Sequence, residues 1–238
     1  VYVGSTPTRA TTWDYWPIDG TIDRVDTPER SRPRRLLVAG LGLLVASALL
    51  TVPVLVDPVQ PLFQEVDDGW RAAVTDGRST PATDLAEFLH AAGGWPWSSA
   101  VVGLIAIVCV VRGRFSSAVY VTMCVALTSL VVVPLLKLVV GRARPPDSLV
   151  EATWYSFPSG HTAFIAAFAL SLAWVSIRRP GVGISVAVVM TALMMWSRTY
   201  LSVHWLTDTL AAALIGFGVA LTVAWALGVD RPSSTLAR

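Results

Sequence analysis

Of 238 residues, 54% are hydrophobic and only 14% charged, against roughly 25% charged in an ordinary soluble domain. That composition excludes a water-soluble globule and also a disordered chain, which needs high charge and few apolar side chains. The formal net charge of +2, from 18 basic and 16 acidic residues, is too small to support nucleic-acid binding.

Residues 1–35 mix Pro, Thr, Asp and Arg without apolar periodicity and end in Arg30, Arg32, Arg34 and Arg35. They are expected to form a mostly disordered basic tail that holds the first helix start on the cytoplasmic side. The first uncharged stretch, 36–56, has spanning length, since about 20 apolar helical residues cross a bilayer core. It lacks a clear small-x-small cleavage site, so it is expected to stay in place as a helix. Further uncharged stretches at 91–111, 115–136, 162–177, 180–197 and 209–229 complete six predicted transmembrane helices. The fourth and fifth are short and need their flanking residues to span. The expected class is all-α: a polytopic membrane domain over 36–229, with a second cytoplasmic tail at 230–238.

Between the first two spans, 57–94 is acidic and carries apolar residues at helical spacing, Leu62, Phe63, Val66 and Trp70, then Leu85, Phe88 and Leu89. One or two short helices, within 59–74 and 81–92, are expected there, either in the headgroup layer or packed over helix ends. Trp95 and Trp97 suit an interfacial aromatic belt. Cys109 and Cys124 lie in apolar stretches and read as small buried hydrophobes, not as a disulfide or metal ligands.

Alternation of the spans makes every short inner loop basic, with Arg112 and Arg114, then Arg178 and Arg179, then Arg231 and Arg238. This is the positive-inside bias. Lys137, Arg142, Arg144 and Arg198 fall on the outer side and break it. Three segments there hold nearly all the reactive side chains. These are Lys137 to Pro145 at the end of the third span, Pro158-Ser159-Gly160-His161 before the fourth, and Ser197 to Asp208 between the fifth and sixth. Topology places all three at one membrane face.

Lys137, Arg144 and Arg198 are cations without matching acids, costly at a low-dielectric boundary unless an anion pairs with them. Arginine's planar fork and lysine's point charge suit phosphate oxygens. The amides of Ser159, Gly160 and His161, at a helix start, suit them as well, and the Ser159 hydroxyl adds a hydrogen bond. His204 and Asp208, four apart, share a face if both are helical, so the carboxylate can fix the imidazole tautomer and leave the other nitrogen free to attack. His161 has no carboxylate at that spacing and suits a proton donor. Arg142 and His90 have a blander reading, the first touching headgroups and the second sitting in the acidic loop. Two histidines and one aspartate do not make a zinc site, and no cofactor is expected.

The pattern K-x6-R-P, P-S-G-H and S-R-x5-H-x3-D resembles the signature of the type 2 phosphatidic acid phosphatase superfamily. That superfamily includes membrane lipid phosphatases, polyprenyl-diphosphate phosphatases, glucose-6-phosphatase and soluble vanadium haloperoxidases. Ser202 stands where many members have Gly. The resemblance implies a bacterial inner-membrane, metal-independent lipid phosphate phosphatase with both termini cytoplasmic and its site extracytoplasmic. By it, His204 is the nucleophile, Asp208 its support and His161 the acid, then the base. Lys137, Arg144, Ser159, Gly160 and Arg198 hold the phosphoryl oxygens. Substrates in reach are phosphatidate, phosphatidylglycerophosphate and polyprenyl diphosphate. The alternatives are a phosphotransferase using the same intermediate and a non-catalytic lipid-binding scaffold; a transporter would place ionisable groups nearer mid-membrane.

Overall fold

The computed structural model describes residues 33–229 and 231. The expected tails therefore lie largely outside the described residues. Those residues form nine α-helices: α1 (Arg34–Val56), α2 (Gln64–Asp76), α3 (Thr80–Gly93), α4 (Trp97–Val111), α5 (Phe115–Ala126), α6 (Val133–Val140), α7 (Gly160–Ser176), α8 (Pro180–Tyr200) and α9 (Leu206–Leu227). A π-helical turn, Leu127–Val132, joins α5 to α6 into one continuous rod. The all-helical membrane class is as expected.

The count of six spans needs correction. Four helical rods are long and apolar enough to cross a membrane: α1, α5–α6, α8 and α9. The expected second span over 91–111 is broken, because α3 and α4 meet at a 55° bend. The break is Gly93-Gly94-Trp95-Pro96, where proline lacks an N–H and disfavours helical backbone in the residue before it. That leaves α4 with 15 residues, about 22 Å at 1.5 Å per residue and short of a 30 Å hydrocarbon core. The fourth apolar helix, α7, stops at 17 residues.

The packing at the centre depends on small residues. In α7, Ala163, Ala166, Ala167 and Ala173 are buried, and in α9 so are Ala211, Ala212, Ala220 and Ala224. Lipid tails are as apolar as leucine, so helices in a bilayer gain most by close backbone approach. Gly216 shows how close: a Cβ there would sit 2.6 Å from both the Ala163 carbonyl oxygen and the Ala166 Cβ. Aliphatic side chains of α1 and α4 such as Val38, Leu49, Leu104 and Ile107 point outward, the inverse of a soluble protein.

Both short helices of the 57–94 segment form, and α2 carries its polarity in an unexpected sense. Its buried residues are Gln64 and Asp67, while Leu62, Val66 and Trp70 are exposed. The apolar face is turned outward and the polar face grips the end of the bundle.

Candidate active site

Local backbone chemistry positions each motif residue. The rod α5–α6 ends on Gly141, whose φ of +66° is the left-handed conformation that closes helices and that glycine adopts without penalty. Lys137 thus lies in the last turn, and the chain reverses to present Arg142 and Arg144. Ser159 caps α7, its hydroxyl accepting from the Thr162 amide at 3.4 Å and the Thr162 hydroxyl at 3.0 Å. The Ser159 amide donates to the Asp208 carbonyl at 3.2 Å, so it is not free as expected, and the second motif is tied to the third. The Gly160 and His161 amides open the helix, where no helical carbonyl can reach them.

His204 and Asp208 do not share a helical face. His204 lies in the turn before α9, which starts at Leu206. Asp208 caps that helix start, its Oδ2 accepting from the Trp205 amide at 3.0 Å. His204 Nδ1 is 3.6 Å from Asp208 Oδ2 and makes no hydrogen bond of ordinary geometry.

The Asp208 Oδ1 is engaged by Arg142 at 2.7 Å. Arg142 is buried, not at the headgroups as expected. Its Nη1 also donates to Thr207 at 2.9 Å, and its Nη2 to Gln64 and Asp67, each at 2.7 Å. Asp67 in turn accepts from the Thr207 amide at 2.9 Å, so α2 is clamped onto the start of α9. Gln64 and Asp67 escaped the sequence reading; their spacing of three, on the face opposite the apolar stripe, was the available signal.

Lys137, Arg144 and Arg198 make no ion pair among the described residues. Lys137 Nζ donates to the carbonyls of Tyr155 and Ser156. Arg144 is held by the carbonyls of Thr153, Trp154 and Val203 at 2.8, 2.9 and 2.6 Å, which sets its Nη1 3.4 Å from His204 Nε2. Arg198 is 1% exposed, and its Nε has no acceptor among the described residues. Burial, then the charges of Lys137, Arg144 and Arg198 in turn, hold the His204 imidazole well below its ordinary pKa. A neutral imidazole keeps a lone pair that can attack an electrophile, and cations without a carboxylate partner can receive an anion.

His90, expected to be uninvolved, joins this cluster. Arg198 Nη1 is 2.7 Å from His90 Nδ1, and the His90 ring stacks on His161 with centroids 5.2 Å apart. The signal for it was rarity, as one of three histidines in an outer segment. Beside His161, an apolar groove of about 470 Å³ runs between α4, the α5–α6 rod and α7, past Val102, Val125, Leu130 and Phe164.

Comparison with known proteins gives three findings. Residues 117–231 match the model of the PAP2 superfamily. Phosphatidylglycerophosphatase B of Escherichia coli K12, and its counterpart in Shigella flexneri, are each 37% identical over 78 residues, which is 32% of this chain and 30% of theirs. The chain therefore matches under a third of the length of these relatives. The crystal structure titled as the first transmembrane PAP2 type phosphatidylglycerolphosphate phosphatase from Bacillus subtilis superposes with a TM-score of 0.69, covering 77% of this chain and 93% of that one at 20% identity. The segment that matches the PAP2 superfamily model, residues 117–231, contains all three motifs of the cationic cluster.

Proposed function

We propose that the protein is a membrane lipid phosphatase that hydrolyses a terminal phosphoryl group through a phosphohistidine. The observation that carries the reading is the convergence of Lys137, Arg144 and Arg198, none ion-paired among the described residues, around the neutral His204. In this reading His204 Nε2 attacks phosphorus while Lys137, Arg144, Arg198, Ser159 and the Gly160 amide bind the equatorial oxygens, and the bond to the leaving oxygen breaks. His161, which burial and then the charge of Arg198 hold well below the ordinary imidazole range in the empty site, takes up a proton beside the bound phosphate and gives it to that oxygen. It then takes a proton from water as the water attacks phosphorus, the P–N bond breaks, and inorganic phosphate leaves with His204 restored. Asp208, set by Arg142 and the Trp205 amide, supports the charge that grows on His204.

The groove beside His161 suits acyl chains that stay at bilayer depth while the phosphate enters the cluster. The names of the relatives favour phosphatidylglycerophosphate as the first substrate to test, ahead of phosphatidate and polyprenyl diphosphate. The basic loops at the opposite helix ends favour an extracytoplasmic site in a bacterial inner membrane, with cytoplasmic termini.

The test is phosphate release from those three lipids by purified protein, with His204→Ala as control. Wild type is expected to turn over at least one lipid, and the variant to remain folded and lose activity by a factor of about 10⁴ or more. Activity retained in folded His204→Ala protein would rule out the covalent route.

A further inference from the structure

His90 belongs to none of the three motifs and lies 71 residues before His161 and 108 before Arg198. Yet it touches both. Arginine can only donate, so the Nδ1 that Arg198 approaches at 2.7 Å must offer a lone pair. That fixes His90 as the neutral tautomer with its proton on Nε2. The His90 carbonyl can only accept, so the His161 Nε2 at 3.2 Å carries a proton. Ring stacking at 5.2 Å, with planes 29° apart, fixes the tilt of His161. The close fit extends one turn further, since a Cβ on Gly93 would lie 2.9 Å from His161 Cδ2.

Arg198 needs such an anchor. Among the described residues it has no carboxylate to hold it, and a long side chain without one has several rotamers to choose from. With one Nη bonded to His90, the orientation of the planar fork is set.

We propose that His90 is a positioning residue of the phosphoryl site, its ring nitrogen setting the Arg198 fork and its ring face and carbonyl setting His161. The inference rests on the phosphoryl-transfer reading above. It adds a side chain from the broken α3–α4 segment to a site otherwise built from the rods that follow.

Two substitutions separate its contacts. His90→Phe keeps a ring against His161 but removes the acceptor for Arg198; His90→Gln restores an acceptor and removes the ring. Full-length protein in detergent is assayed for inorganic-phosphate affinity by calorimetry and for kcat and KM with the best lipid of the panel. His90→Phe should weaken phosphate binding and lower kcat/KM by about 10- to 100-fold, while His90→Gln should return phosphate affinity to within about threefold of wild type. If His90→Phe fails to fold, His90→Leu takes its place as the acceptor-free variant. Wild-type phosphate affinity in a folded acceptor-free variant overturns the proposal, and so does equal loss in the Gln variant. Failure of the functional reading looks different: wild type would release no phosphate from any lipid, and phosphate affinity would still report on His90.

Discussion

Arg142 and Arg198 are equally buried, each about 1% exposed, yet they are solved in opposite ways. Arg142 meets two carboxylates and two further oxygens. Arg198 meets one neutral imidazole and no carboxylate among the described residues, although the Nε of each arginine is buried without an acceptor there. A buried charge matched by carboxylates holds elements together, here α2, α9 and the segment after α6. A buried charge without one costs free energy in the empty protein and recovers it only when an anion binds. Under the proposed function, this difference separates framework from binding site.

The comparison breaks first at Arg142. Replacing it by Met leaves Asp67 and Asp208 buried and uncompensated, and should destabilise the fold by about 3–5 kcal/mol, read as loss of thermal stability in detergent. Arg198→Met should behave in the opposite sense. Its stability without ligand should not fall, because no carboxylate is orphaned, while kcat/KM drops about 10²- to 10³-fold as one oxyanion donor disappears. Added inorganic phosphate should raise the melting temperature of wild type and not that of Arg198→Met. Equal destabilisation of the two variants would show that the contrast between the arginines is not energetic.

Lys137, Arg142, Arg144 and Arg198 were legible in the sequence because, on the expected topology, they break a charge bias that the short inner loops follow. Their partners were not legible, because partnership here is long-range. Arg142 finds Gln64 and Asp67 at separations of 78 and 75 residues, and nothing local distinguishes it from a headgroup anchor. The same holds for α2. Its apolar stripe was visible, but only the fold shows that the stripe faces out and the polar edge in. His204 and Asp208 were paired by helical spacing, yet the helix starts between them, and Asp208 spends its oxygens on a cap and on Arg142. The broken second span had a readable cause in Pro96 and two glycines, which hydrophobicity summed over 91–111 conceals.

The smallest effect probes the unpaired side of the contrast through His204. Its pKa is depressed in the folded protein, first by burial and then by Lys137, Arg144 and Arg198, whereas in the unfolded chain it titrates near 6.5. As pH falls below about 6.5, the unfolded state takes up a proton that the folded state refuses, so folding stability falls with it. Between pH 7.5 and 5, the melting temperature of wild type should therefore drop more than that of His204→Gln, which has no proton to refuse. Saturating inorganic phosphate should shrink the difference, because an anion among the three cations removes their share of the depression and leaves only the part due to burial. Parallel curves for wild type and variant, with or without phosphate, would mean that the cations do not act on His204 and that the site is not poised for an anion.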